Sequence, residues 1–289
     1  MQQNLTLIQK SISLLSYSRS TRENRFKMKK ERIYYKEFQR IINEKCFDTF
    51  FQPIVNIESG LNIGYEVFNR PVDSTIFYNT EYFYDFIGKT NQPFIVDEIC
   101  LQLAVEKFVC QFRQPNKEFL LFINIYPDAL LDQRLNWGKI FKIMETYGIA
   151  LENIVFEISE KTRIEDYDKM NESLFYFRNK GIKFALDDVG SGYNSLKTMV
   201  LLKPEYIKLD KSLIQFIDQC KAKQQLMEFF MDLSNKLHFY LVAEGIERVE
   251  EIEYLRRNGV HIGQGYAIGK PHQKITTGKL PEIKEIKSM

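Results

Sequence analysis

From residue 36 onward, short apolar runs alternate with longer stretches of helical periodicity, and nothing else in the chain narrows its fold as much. The strand candidates are FFQPIVNI (50–57), GYEVFNR (64–70), FLLFINI (119–125), IVFEIS (154–159), IKFALDD (182–188), YIKLD (206–210), FYLVAEG (239–245) and HIGQGYAIG (261–269). Between them lie VDEICLQLAVEKFVCQF, YDKMNESLFYFRNKG, AKQQLMEFFMDLSNKL and RVEEIEYLRRNG, which read as helices. Period two giving way to period 3.6 is the pattern of βα units around a mainly parallel sheet. Two of the helical stretches run into Gly181 and Gly259, where a C-cap glycine is expected. The first two strands are joined only by ESGLN, too short for a crossover helix, so that pair is expected to be an antiparallel hairpin. Eight strand candidates suit one α/β barrel better than a small open sheet. No linker divides residues 36–289, which are read as a single domain.

Residues 1–35 differ from the rest. LTLIQKSISLL has helical apolar spacing, and RSTRENRFKMKKER is strongly basic. They read as a solvated helical leader, with weak attachment to a membrane surface or a partner as the other reading. Lys and Arg number 40 against 38 Asp and Glu, so net charge gives no reason to expect DNA or RNA as a partner. Four scattered cysteines without a CxxC pair, and three histidines without metal-ligand spacing, exclude a disulfide framework and a zinc site as working readings. No run reaches the roughly 18 apolar residues of a membrane span, and the N-terminus lacks the features of a secretory signal. A cytoplasmic location is expected.

The strand candidates carry ionisable or amide residues at or near their C-terminal ends. These are Glu66 and Arg70, Asn124, Glu157 with Glu160 just beyond, Asp187 and Asp188, Lys208 and Asp210, Glu244, and Gln264. Each alone has an ordinary explanation: a bonded strand-end amide for Asn124, a helix cap for Glu160, a snorkelling side chain for Lys208. In a βα barrel, however, all C-terminal strand ends open on one face. Glu66, Asn124, Glu157, Asp187, Asp188 and Glu244 would then meet in one mouth. So many carboxylates in one cleft call for divalent cations, and oxygen ligands without thiolate or imidazole indicate Mg²⁺ or Mn²⁺, one ion or two. The adjacent Asp187 and Asp188, at a strand end breaking into Gly190, could serve a two-ion site. Such a site suits phosphodiester hydrolysis. Lys208 could orient the water or stabilise developing charge, and Arg70 offers a fork for phosphate or a base edge.

The segments FFQPIVNIESG, GYEVFNRP, FINIYP, FEISE, FALDDVGSGYNSL, YIKLDKSLI, LVAEGIE and GQGYAIGKP occur in order from about Lys36 to Pro271. In that order and spacing the chain resembles the EAL family of cyclic di-GMP phosphodiesterases, which linearise the messenger to 5′-pGpG. The resemblance implies a modified TIM (β/α)8 barrel with one antiparallel strand. It assigns metal ligation to Glu66, Asn124, Glu157, Asp187, Asp188 and Glu244, and catalysis to Lys208 and Glu244. Substrate contact or ordering of the site falls to Gln52, Arg70, Asp210 and Gln264, and steadying of the loop after the paired aspartates to Glu160. It also implies a homodimer. The signature here reads Glu66-Val67-Phe68 instead of Glu-Ala-Leu, and the loop has Val189 and Ser191 where Phe and Thr are common. These departures bear on pocket volume, rate and regulation, not on ligand chemistry. A receptor that holds cyclic di-GMP without cleaving it is the alternative, as is an unrelated metal-dependent phosphoesterase.

Overall fold

A computed structural model describes residues 28–90, 92–111, 119–191 and 195–281. The apolar part of the leader therefore lies outside the described residues, as do Gly192, Tyr193 and Asn194. Residues 28–44 are helical (α1), running without a break through position 35.

Eight strands close into a barrel in sequence order. They are β1 (Phe47–Asn56), β2 (Asn62–Pro71), β3 (Leu120–Asn124), β4 (Ile154–Ser159), β5 (Lys183–Val189), β6 (Tyr206–Leu209), β7 (Tyr240–Ala243) and β8 (Ile262–Gly263). From β2 to β8 every pairing is parallel. Strand β1 pairs antiparallel with β8 and so runs against all the others. Its reversal follows from the short turn to β2, where Asn56 Oδ1 accepts from the backbone N–H of Glu58 and Ser59. The parallel connections carry α2 (Thr80–Ile87), α3 (Pro93–Val109), α4 (Pro127–Leu131), α5 (Trp137–Thr146), α6 (Tyr167–Arg178), α7 (Ser195–Leu202), α8 (Lys211–Ile214), α9 (Lys221–Leu237) and α10 (Val249–Arg257).

The described residues divide into two compact units, one of residues 28–47 with Pro71–Phe83, the other of Asp48–Arg70 with the described residues from Tyr84 on. The smaller unit has an aromatic centre. Phe77 meets Tyr34 at 5.6 Å and Phe83 at 5.2 Å between ring centroids, both edge to face, the arrangement their ring quadrupoles favour.

In the larger unit, strand alternation sorts side chains into two shells. Leu121, Ile123, Ile154, Phe156 and Phe184 point outward and pack on Leu101, Val105 and Phe108 of α3, Met144 of α5, and Leu174 and Phe177 of α6. On the far side Ile207, Leu209, Leu241 and Ala243 pack on Met227, Phe230, Ile252 and Leu255 of α9 and α10. The inward positions between these residues form a plug across the barrel, made of Ile54, Phe122, Val155, Ala185, Tyr206 and Val242.

The eighth strand is much shorter than its sequence suggests. HIGQGYAIG is apolar enough for a strand through residue 269, yet pairing stops at Gly263. Gly265 lies so close to the backbone of Ile246 that a Cβ there would come within 2.1 Å of its carbonyl oxygen. The backbone N–H groups of Ile268 and Gly269 both turn back to the Gly265 carbonyl, replacing the ladder by a turn.

Candidate active site

Two residues along from the plug, the same alternation brings in a polar layer. Phe122 is followed by Asn124, Val155 by Glu157, Ala185 by Asp187, Tyr206 by Lys208, and Val242 by Glu244. Register puts Asn124 beside Glu157 and staggers the layer from there, with Asp187 beside Ser159 and Lys208 beside Val242. Because β1 runs the other way, Gln52 occupies the corresponding position by counting backward from Ile54. Glu66 is contributed from the middle of β2, and Gln264 from just beyond β8.

Lys208 is the centre of the layer. Its side chain is fully buried, and Nζ lies 2.6 Å from Glu157 Oε1, 2.7 Å from Glu244 Oε1, 3.0 Å from Glu66 Oε2 and 3.1 Å from Asp187 Oδ1. Burial alone would pull this ammonium toward neutrality, but the four carboxylates outweigh that and hold its pKa well above the usual value. Burial drives Glu157 well up, and the charge of Glu66 adds to it while Lys208 opposes. Asp187 and Glu244 are raised as well, burial being the main cause and Lys208 again the counterweight. One ammonium does not neutralise four acids.

Amides complete the layer. Asn124 Nδ2 donates to Glu157 Oε2 at 3.1 Å and reaches Glu66 Oε1 at 3.5 Å. Gln264 Nε2 donates to Glu66 Oε2 at 2.7 Å and Gln52 Oε1 at 3.0 Å, and Gln52 in turn donates to the Gly269 carbonyl at 3.0 Å. The turn that shortens β8 is thus tied to Glu66 through two buried amides. Arg70 is exposed, its guanidinium stacked 4.6 Å over the ring of Phe50.

The paired aspartates part company. Strand β5 is irregular against β6 between Leu186 and Val189, and Asp188 takes a left-handed backbone (φ 59°). Asp187 faces the layer, whereas Asp188 Oδ2 accepts from Lys161 Nζ at 2.9 Å. Glu160 braces the loop from the other side: its carboxylate accepts the N–H of Gly190 at 3.0 Å, and its own N–H donates to the Asp187 carbonyl at 3.0 Å. Asp210 caps α8, accepting the N–H of Ser212 at 2.8 Å. Lys161 went unnoticed in the sequence because it follows Glu160 in no recognisable spacing. The fourfold pairing of Lys208 was equally hidden, since its partners come from four strands.

One oxygen from each of Glu66, Glu157 and Asp187 lies within 4.8 Å of the other two. Glu157 Oε1 and Asp187 Oδ1 are buried with the Lys208 ammonium as their close polar neighbour, at 2.6 and 3.1 Å. Hard oxygens converging in this way, with more acids than the one ammonium can balance, fit a divalent cation of the Mg²⁺ or Mn²⁺ class.

The chain is 28% identical over 250 residues to Probable cyclic di-GMP phosphodiesterase PdeD of Escherichia coli, covering 82% of this chain and 44% of that protein. It is 27% identical over 234 residues to a cyclic di-GMP phosphodiesterase of Pseudomonas aeruginosa, covering 81% and 40%. The chain therefore spans less than half the length of these two relatives. A standalone EAL protein of Vibrio cholerae, solved with c-di-GMP bound, superposes with a TM-score of 0.70 at 26% identity, covering 81% of this chain and 95% of that one. The EAL domain family model matches residues 36–271, and the chain belongs to that family.

Proposed function

We propose that this chain hydrolyses cyclic di-GMP to linear 5′-pGpG with Mg²⁺ or Mn²⁺ as its cofactor. The observation that carries the reading is the inward layer of Glu66, Glu157, Asp187 and Glu244 around Lys208, in a chain whose relatives include enzymes named for that reaction. In this reading Glu66, Asn124, Glu157, Asp187, Asp188 and Glu244 hold the metal. Bound divalent ions supply an activated water and screen the charge of the phosphate. Lys208 keeps its proton and can orient the water or meet charge developing on phosphate oxygens. Glu244, whose pKa burial raises, is the candidate proton acceptor. Arg70 offers its fork to phosphate or guanine, and Asp210 is assigned to substrate contact. Gln52 and Gln264 fix the carboxylate of Glu66, and Glu160 steadies the Asp187–Gly190 loop. The same reading takes the chain as a homodimer.

The test is turnover. Purified protein with cyclic di-GMP and either metal should release 5′-pGpG, resolved by chromatography. Glu244→Gln should lower turnover about a hundredfold or more while leaving the folded spectrum unchanged. Tight binding of the dinucleotide without product would make the chain a receptor instead. Wild-type turnover in Glu244→Gln would remove that residue from the mechanism.

A further inference from the structure

The ion pair of Lys161 with Asp188 sets this site apart from a simple open acidic cup. Lys161 is the residue after Glu160, so its backbone is fixed beside the aspartate loop by the Glu160 N–H to Asp187 carbonyl bond. From there its ammonium crosses to Asp188 Oδ2 at 2.9 Å. Asp188 is well set to receive it. Its left-handed backbone, held by the Ser191 N–H and hydroxyl both bonding the Asp188 carbonyl, turns the carboxylate away from the partners of Asp187. Asp188 foremost, with Asp210 and Asp187 behind it, favours the charged form of Lys161. The Lys161 side chain is largely exposed, so the contact is a weak, exchangeable one and not a structural strut.

We infer that Lys161 is a built-in competitor for a divalent cation at Asp188: its ammonium occupies the carboxylate that would otherwise join a metal, and so sets how tightly the site loads its ions. The inference rests on the metal-dependent reading above. An ammonium and a divalent ion cannot both sit against the same carboxylate oxygens without repulsion. A unit positive charge a few ångströms from a divalent ion in a solvent-accessible site weakens binding on the order of threefold to tenfold.

Titration calorimetry with Mn²⁺ on the full chain tests this without reference to turnover. Lys161→Gln should bind Mn²⁺ about three to ten times more tightly than wild type. Lys161→Arg, which keeps the charge, should bind like wild type. In an Asp188→Asn background the substitution Lys161→Gln should make a clearly smaller difference, because the contested carboxylate is gone and only the longer-range repulsion remains. Equal Mn²⁺ affinity in wild type and Lys161→Gln, with weaker binding in Glu157→Gln, would overturn the inference and leave the metal site standing. No Mn²⁺ binding by wild type or Lys161→Gln would overturn both.

Discussion

Lys208 is a fully buried ammonium within 3.1 Å of four carboxylates. Removing one partner of a buried ion cluster costs more than the cluster contributes, because the remaining charges stay desolvated. Lys208→Met keeps the volume and deletes the charge. In the presence of chelator at pH 8, urea unfolding should show a loss of about 3 kcal/mol or more. Added Mn²⁺ should recover much of that loss by supplying positive charge to the same oxygens. A variant as stable as wild type in chelator would mean the acids are already protonated and the cluster is not ionic.

At the scale of elements, the irregular end of β5 matters most. The bulge and the left-handed Asp188 leave a loop whose conformation depends on clasps from the residues that follow β4. Glu160→Ala removes the acceptor for the Gly190 N–H. Its expected effect is a joint fall in Mn²⁺ affinity and turnover of about tenfold, with a stability loss of about 1 kcal/mol because the Glu160 side chain is buried. Normal Mn²⁺ affinity in that variant would show that the loop holds its shape without Glu160. Strand periodicity made most of this architecture legible in the sequence: a run such as FLLFINI declares both its outward Leu121 and Ile123 and its inward Asn124. It could not declare β8, where the absence of a side chain at Gly265 lets the chain turn against Ile246. Nor could it separate Asp187 from Asp188, because their divergence depends on a local bulge and on Lys161, which lies 27 positions away from Asp188.

Across the whole molecule, the buried acids link folding to pH. Glu157, Asp187 and Glu244 have folded pKa values above their unfolded ones, so the folded state binds more protons than the unfolded chain in that interval. Their contribution is therefore fully present below the unfolded carboxylate range, about pH 4. It is lost as pH rises through the raised folded values. Metal-free protein should accordingly melt at lower temperature at pH 8 than at pH 5.5, and saturating Mn²⁺ should narrow the difference. A metal-free stability that rises over that interval would contradict the direction of these shifts.

In the proposed reaction, acids from separate strands meet inside one barrel to grip a cation over a phosphate. Anomalous diffraction from a crystal grown with Mn²⁺ tests this most directly. The expected result is a manganese peak bounded by Glu66, Glu157 and Asp187, the three whose oxygens already converge. Manganese elsewhere on the surface, with Lys208 still alone among its four carboxylates at saturating metal, would contradict it.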